Sequence, residues 1–207
     1  MPRKPRQWSS SGYYHFINRG VSKKKIFHRD EDFDFYRDLL MEYKERFNVR
    51  ILHYCFMSNH THMIVGCDDI SSLGRFAHFL QRRYAYYYCK TYHWAEQVFR
   101  NRYTSIPIEK DAYLLECGRY IERNPLDAGI AQDPKDYKHS SYNHYAYGAT
   151  DNLVTESPLY VNLSKTSEER QLVYRFNVTH NRDYELEKNK FLKKYMGRQK
   201  KSQPVPF

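Results

Sequence analysis

The chain has 207 residues, of which 41% are hydrophobic and 28% charged, enough to build a real core in one domain with an appendage or in two small domains. A formal charge of +10 points to an acidic polymer as partner, with nucleic acid ahead of a membrane surface. Nowhere do about eighteen apolar residues run together, which excludes an ordinary spanning helix, and the four cysteines lack Cys-x-x-Cys spacing, which argues against a disulfide framework or a zinc knuckle.

The N-terminus, Met1 to Trp8, carries Arg3, Lys4 and Arg6 with no apolar stretch behind them, so it does not read as a secretory signal. A soluble, cytoplasmic protein with reduced thiols is expected. Gly12 to Asn18 is aromatic and β-branched and runs into Arg19-Gly20, a first strand ending in a turn. From Asp30 to Phe47 the apolar positions Phe33, Tyr36, Leu40, Tyr43 and Phe47 recur every three or four residues behind an acidic start, which predicts an amphipathic helix. Val49 to Met57 and His60 to Cys67 are β-rich runs separated by Ser58-Asn59, the composition of a tight hairpin.

Ser71 is positioned to cap a helix to about Lys90, with Leu73, Phe76, Ala77, Leu80, Tyr84 and Tyr87 along one side. The next strand candidate is Val98 to Ile108. Asp111 opens another helix, which Pro125 is expected to stop, because the residue before a proline is pushed out of helical geometry. The order strand, helix, strand, strand, helix, strand, helix predicts an α+β, ferredoxin-like antiparallel sheet of about four strands with helices on one face. Gly148 to Asn152 is turn-rich and suggests a boundary. Residues 1–11 then form a basic tail, 12–148 a domain, and 149–207 a helical extension with patterns at Ser167 to Phe176 and Tyr184 to Met196. Its last stretch, Lys188 to Lys201, gathers seven lysines and arginines, as suited to a solvated tail as to a nucleic-acid contact.

His60 and His62 stand two apart in a predicted strand, so both imidazoles share one face and could serve one metal ion. With ten histidines in the chain, chance alone supplies such a pair in roughly half of arrangements, so its value lies in what converges on it. Tyr120 and Asn124 are four apart on a predicted helix, roughly 6 Å from each other on one face. If that face packs on the histidine strand, Asn124 offers an oxygen as third ligand and Tyr120 a phenol beside the ion. A phenol with pKa near 10 is a poor nucleophile until a cation favours its phenolate. Two imidazoles and an amide leave positions for phosphate oxygens, which suits Mg²⁺ or Mn²⁺. Tyr84, Tyr86, Tyr87 and Tyr88 are rival phenols, but no amide follows them at helical spacing and their pattern reads as core packing. Arg82, Arg83, Arg100, Arg102, Arg119 and Arg123 are candidate phosphate contacts as a cluster, and Arg3, Lys4 and Arg6, ahead of the first strand, could reach bases.

The ordered motifs MSNHTHMIV, RYIERNPLDAGI and YKHSSYNHYAYG resemble those of the HUH single-tyrosine transposases, especially the REP-associated tyrosine transposases. The resemblance spans about Gly12 to Gly148 and includes the opening YYHFINRG. It implies metal binding by His60, His62 and Asn124, and Tyr120 as nucleophile. It further implies cleavage of single-stranded DNA, often beside a hairpin, through a covalent 5′-phosphotyrosine that a 3′-hydroxyl can reverse. Two departures from the family pattern are Thr61, where a bulky apolar residue is usual, and Ser58, where proline is usual. Two other readings compete: a domesticated protein that holds DNA or RNA hairpins without cutting them, and a hydrolase of small phosphate compounds, which would leave the basic surface unexplained. Monomer and homodimer both remain open.

Overall fold

A computed structural model describes residues 7–109 and 111–179. Arg3, Lys4 and Arg6, the helical pattern Tyr184 to Met196 and the basic tail lie outside the described residues. Strands β1 (Tyr13–Arg19), β2 (Arg50–Met57), β3 (His60–Gly66) and β4 (Thr104–Ile108) form one antiparallel sheet in the order β2-β3-β1-β4. With α1 (Asp30–Arg46) between β1 and β2, and α2 (Ile70–Tyr92) between β3 and β4, this is the expected ferredoxin-like α+β arrangement. Ser58 and Asn59 alone join β2 to β3, and Met57 pairs with His60 across the turn.

Because side chains alternate along a strand, each strand feeds two cores. Tyr14 and Phe16 of β1, Tyr54 and Phe56 of β2 and Met63 and Val65 of β3 join α1 and α2 in the larger core. On the opposite face, Cys55, Met57 and Ile64 meet Leu114, Cys117 and Ile121 of α3 (Asp111–Asp127). Helices therefore cover both faces, α1 and α2 on one and α3 on the other, rather than the single face expected, because the strands are apolar on both sides. A bulge between Ile51 and His53 breaks the alternation of β2, so that Leu52 and His53 both turn toward α3. Both sheet edges are blunted: Pro107 lies in β4, and residues 139–141 run along β2, with Phe56 N–H donating to His139 O (2.9 Å) and Ser141 N–H to Tyr54 O (3.0 Å).

Three element boundaries differ from the sequence expectation. Asp69, not Ser71, caps α2, its carboxylate accepting the N–H groups of Ser71 and Ser72. The strand candidate Val98 to Ile108 is a strand only from Thr104. Its first half is a loop that buries Val98, Phe99 and Tyr103 and exposes residues 100–102, in which Arg100 N–H donates to Arg19 O and Phe99 bridges Gly20. Helix α3 runs through Pro125 to Asp127. A proline removes the N–H that would bond the carbonyl four residues back, here Ile121. The Asn124 amide supplies the missing donor, its Nδ2 reaching Ile121 O at 3.1 Å and Tyr120 O at 2.8 Å.

Beyond α3 the chain returns to the sheet through α4 (Tyr142–Tyr147), α5 (Pro158–Val161) and α6 (Ser167–Thr179). Asp151 binds Arg37 and the Tyr54 hydroxyl, and Leu153 is buried in the larger core. Helix α6 is fastened to α3. Tyr174 donates its hydroxyl to Glu122 Oε2 at 2.6 Å, and Arg123 Nη1 donates to Val178 O at 2.5 Å. The other oxygen of Glu122 accepts from Ser141 Oγ (2.6 Å) and faces His53 Nδ1 (3.1 Å). All four side chains of this cluster are buried.

Truncating Glu122 would take a shared partner from three buried polar groups, Ser141, His53 and Tyr174. Glu122→Ala is expected to cost about 3–5 kcal/mol and Tyr174→Phe about 1 kcal/mol, read from urea unfolding followed by tryptophan fluorescence. A loss below about 1 kcal/mol for Glu122→Ala would show that the cluster does not hold α3.

Candidate metal and nucleophile site

The pairing register builds the site. His60 and His62 of β3 and His15 and Arg19 of β1 lie on the sheet face that α3 covers, because Arg19 pairs directly with His60 and Ile17 with His62. Helix α3 lies across the same face and brings Tyr120 over the imidazoles. Its ring centroid is 5.6 Å from that of His62 and 6.0 Å from that of His15. The His60 and His62 rings are 4.9 Å apart and mutually perpendicular, and the Asn124 side chain lies beside His60. The two histidines, the phenol and the amide singled out in the sequence thus converge on one spot.

Hydrogen bonds fix how these groups face. Asn59 Oδ1 can only accept, so His60 Nδ1, 2.5 Å away, carries the proton and Nε2 carries the lone pair. His62 Nδ1 is held by His15 Nε2 at 2.9 Å, which leaves His62 Nε2 for a further partner. The Asn124 amide turns its NH₂ back into its own helix, which leaves Oδ1 to face outward. Burial keeps the imidazoles neutral. It pulls His15 down to about 3, and with the charge of Arg19 it pulls His60 down to about 4. Burial, followed by the neighbouring His15, His60 and Arg19, holds His62 well below the ordinary value.

Among the described residues no three His, Cys, Asp or Glu side chains form a ready metal cage. The donor set is instead two neutral imidazoles and one amide oxygen, a partial set that fits a divalent cation whose other ligands come from substrate and water. An imidazole supported by a second buried imidazole also matches how metal-binding histidines are oriented from behind. Tyr120 is the converse case. Burial raises its phenol above the ordinary value, Cys117 and Asp127 add to this, and Arg19 opposes it.

His15 and Arg19 escaped the sequence reading, although the strand alternation of Tyr13, His15, Ile17 and Arg19 carried the signal. Arg100, whose N–H bonds the Arg19 carbonyl, lies by the exposed end of β1, and Arg102 follows in the same exposed loop. The other arginines lie elsewhere. Arg119 and Arg123 are only 6% and 8% exposed, beside Glu116 and Asp127 respectively. Arg82 and Arg83 lie on α2, across the sheet from the imidazoles.

The family model described as "Transposase IS200 like" matches residues 9–124, more than half of the chain and the whole span from β1 to Asn124. No curated protein matches the sequence. Among solved structures, a REP-associated tyrosine transposase bound to a REP hairpin superposes with a TM-score of 0.56 at 16% identity, covering 76% of this chain and 93% of that one. A chain assigned as a transposase from Deinococcus radiodurans R1 superposes with a TM-score of 0.41 at 19% identity, over 59% of this chain and 97% of that one. The fold is therefore that of the tyrosine transposases, and from the family match across its sheet and site the chain belongs to the IS200-like transposase family.

Proposed function

We propose that the protein is a metal-dependent single-stranded DNA endonuclease and strand transferase that acts at DNA hairpins through a covalent 5′-phosphotyrosine on Tyr120. The observation that carries this reading is the convergence of Tyr120, His60, His62 and Asn124 on one sheet face. A related fold holds a REP hairpin, and the same ligand class suits a chain of net charge +10.

His60 Nε2, His62 Nε2 and Asn124 Oδ1 would hold Mg²⁺ or Mn²⁺. When bound, the ion supplies positive charge to the scissile phosphate and favours the phenolate form of the nucleophile. Tyr120 Oη forms the new bond to phosphorus as the bond to the 3′ oxygen breaks. The phenol gives up its proton and the 3′ oxygen gains one, so the products are a 5′-phosphotyrosine and a free 3′-hydroxyl. One phosphodiester replaces another, and the 3′-hydroxyl can run the step backward on the same or another strand. Arg19 places a fixed positive charge beside Tyr120, which works against the burial that keeps the phenol protonated. His15 holds His62 in one orientation.

A labelled single-stranded hairpin with flanking sequence should become covalently attached to the protein only when Mg²⁺ or Mn²⁺ is present, read as a shifted band on a denaturing gel. Tyr120→Phe should abolish the adduct and leave hairpin affinity within about threefold. An adduct that survives the substitution would reject Tyr120, and tight hairpin binding without any adduct would support the hairpin-holding reading instead.

The depressed histidines set a pH dependence for metal binding. With His60 down at about 4 and His62 well below the ordinary value, protons compete with the metal only in more acidic solution than for exposed histidines. Mn²⁺ affinity of the Tyr120→Phe protein, measured by calorimetry, should therefore change by less than about twofold between pH 7.5 and 6. A fall of tenfold or more across that range would mean that the imidazoles titrate as exposed groups.

A further inference from the structure

The face of the molecule turned away from Tyr120 carries its own groove, about 500 Å³ in volume, where the C-terminal half of α1 meets the middle of α2. Phe79 forms part of its lining, with Arg46 from α1 and Arg82, Arg83 and Tyr86 from α2 around it. Helical spacing sets this up: Arg82 and Arg83 follow Phe79 by three and four residues, and Tyr86 follows Arg82 by four, so all four project from one side of α2. The guanidinium of Arg46 lies 4.8 Å from the centroid of the Phe79 ring.

Two features separate this groove from an ordinary solvated helix face. Among the described residues none of the three arginines forms an ion pair, although Glu42 also lines the groove. Tyr86 keeps 62% of its surface in water, the most exposed of the large hydrophobic side chains described. Unpaired guanidinium groups beside an exposed ring offer phosphate contacts next to a flat surface, the combination that suits an unpaired nucleic-acid strand.

We propose that the α1–α2 groove is a second nucleic-acid surface, which holds a single-stranded segment on the side of the sheet opposite the cleavage site. Phosphates lie against Arg46, Arg82 and Arg83, and a base stacks on Tyr86. This rests on the reading of the protein as acting on DNA, but it requires neither metal nor cleavage. The helix layer and the sheet separate the groove from Tyr120, so it serves DNA beyond the segment being cut.

The test uses the full chain in EDTA and a fluorescein-labelled twenty-nucleotide oligo-dT, followed by anisotropy from 50 to 300 mM salt. The variant R46E/R82E/R83E is compared with K135E/K138E/K165E, which makes the same change of net charge at exposed positions elsewhere. The groove variant should lose at least tenfold more affinity than the control, and its slope of log affinity against log salt should shrink by about 2. Tyr86→Ala should lose about fivefold or more. With a 5-iodouracil oligonucleotide, ultraviolet cross-linking should map to Tyr86.

Equal losses in the two charge variants, or cross-links confined to the Tyr120 side, would overturn the proposal. So would a poly-glutamate peptide that binds as tightly as oligo-dT and is equally weakened by Tyr86→Ala, an outcome that would assign the groove to an acidic protein segment. Groove variants should still form the Tyr120 adduct on a short hairpin at saturating DNA. In the unaltered chain, an adduct without any groove contribution to oligo-dT binding would overturn the second surface alone, and groove binding without any adduct would overturn the nuclease reading alone.

Discussion

Glu122 lies in the dry seam between β2 and α3, where Ser141 and Tyr174 donate to its carboxyl group and His53 faces it. Each partner comes from a different part of the chain: the bulged strand, the entry to α4, and α6. Gly118, one turn earlier on α3, permits the close approach. A Cβ there would stand 3.0 Å from the His53 ring, so a larger residue would require the ring or the helix to shift by a few tenths of an ångström. Tyr145 stacks on the other side of this arrangement, 4.4 Å from the His53 ring centroid. Tyr120 and Asn124 each lie two residues from Glu122. The depth at which the cluster seats α3 is therefore the depth at which the phenol and amide meet the imidazoles.

The site then follows from what a covered sheet face does to charge. Three imidazoles placed together in water would share protons near neutral pH, whereas under α3 desolvation drives all three neutral. The same burial works against Tyr120, whose proposed role needs the anion. A single environment thus keeps the proposed metal ligands neutral and holds the proposed nucleophile protonated. The opposing influence within the chain is Arg19, on the exposed end of β1, directly across from His60. A cation between the imidazoles and the phenol would act in the same direction as Arg19. For this reason the proposed metal dependence is more than an addition to the tyrosine chemistry.

Much of this was legible in the sequence wherever a local pattern coincided with a tertiary need. The alternation around His60 and His62, the periodicity of α1 and the four-residue step from Tyr120 to Asn124 each report one periodic element, and each is present. Thr61, one of the two departures from the family pattern, is buried beside Tyr36 on the opposite face, as strand alternation requires. Ser58 receives the N–H groups of Ile26 and Phe27 on its carbonyl, a group that proline offers equally. What stayed hidden depended on pairing between distant segments. His15 becomes a neighbour of His62 only through the β1–β3 register. Arg123 becomes buried only because α6 covers it. The continuation of α3 past Pro125 depends on Asn124 replacing the missing donor, a side-chain substitution that a rule about the residue before proline does not contain.

The rival phenols show why topology, rather than abundance of tyrosine, singles out Tyr120 as the proposed nucleophile. Tyr84, Tyr87 and Tyr88 all lie on α2, across the sheet from the imidazoles, and each hydroxyl is engaged. Tyr84 donates to Ile26 O at 2.5 Å, Tyr87 to Asp32 Oδ1 at 2.9 Å, and Tyr88 to Lys25 O at 3.1 Å. Together with Tyr92 they tie α2 to α1 and to the segment before it, around the buried Asp32 carboxylate. Tyr86 escapes that network but faces outward on the same helix. The aromatic residues therefore divide by sheet face. Those on α2 build and border the helix layer, and Tyr120 alone among these phenols stands over the histidines. A phenol moved to the α2 side would have neither the imidazoles nor Arg19 beside it. The reading of Tyr120 as nucleophile thus rests on which face of the sheet α3 occupies, and the Glu122 cluster holds it there.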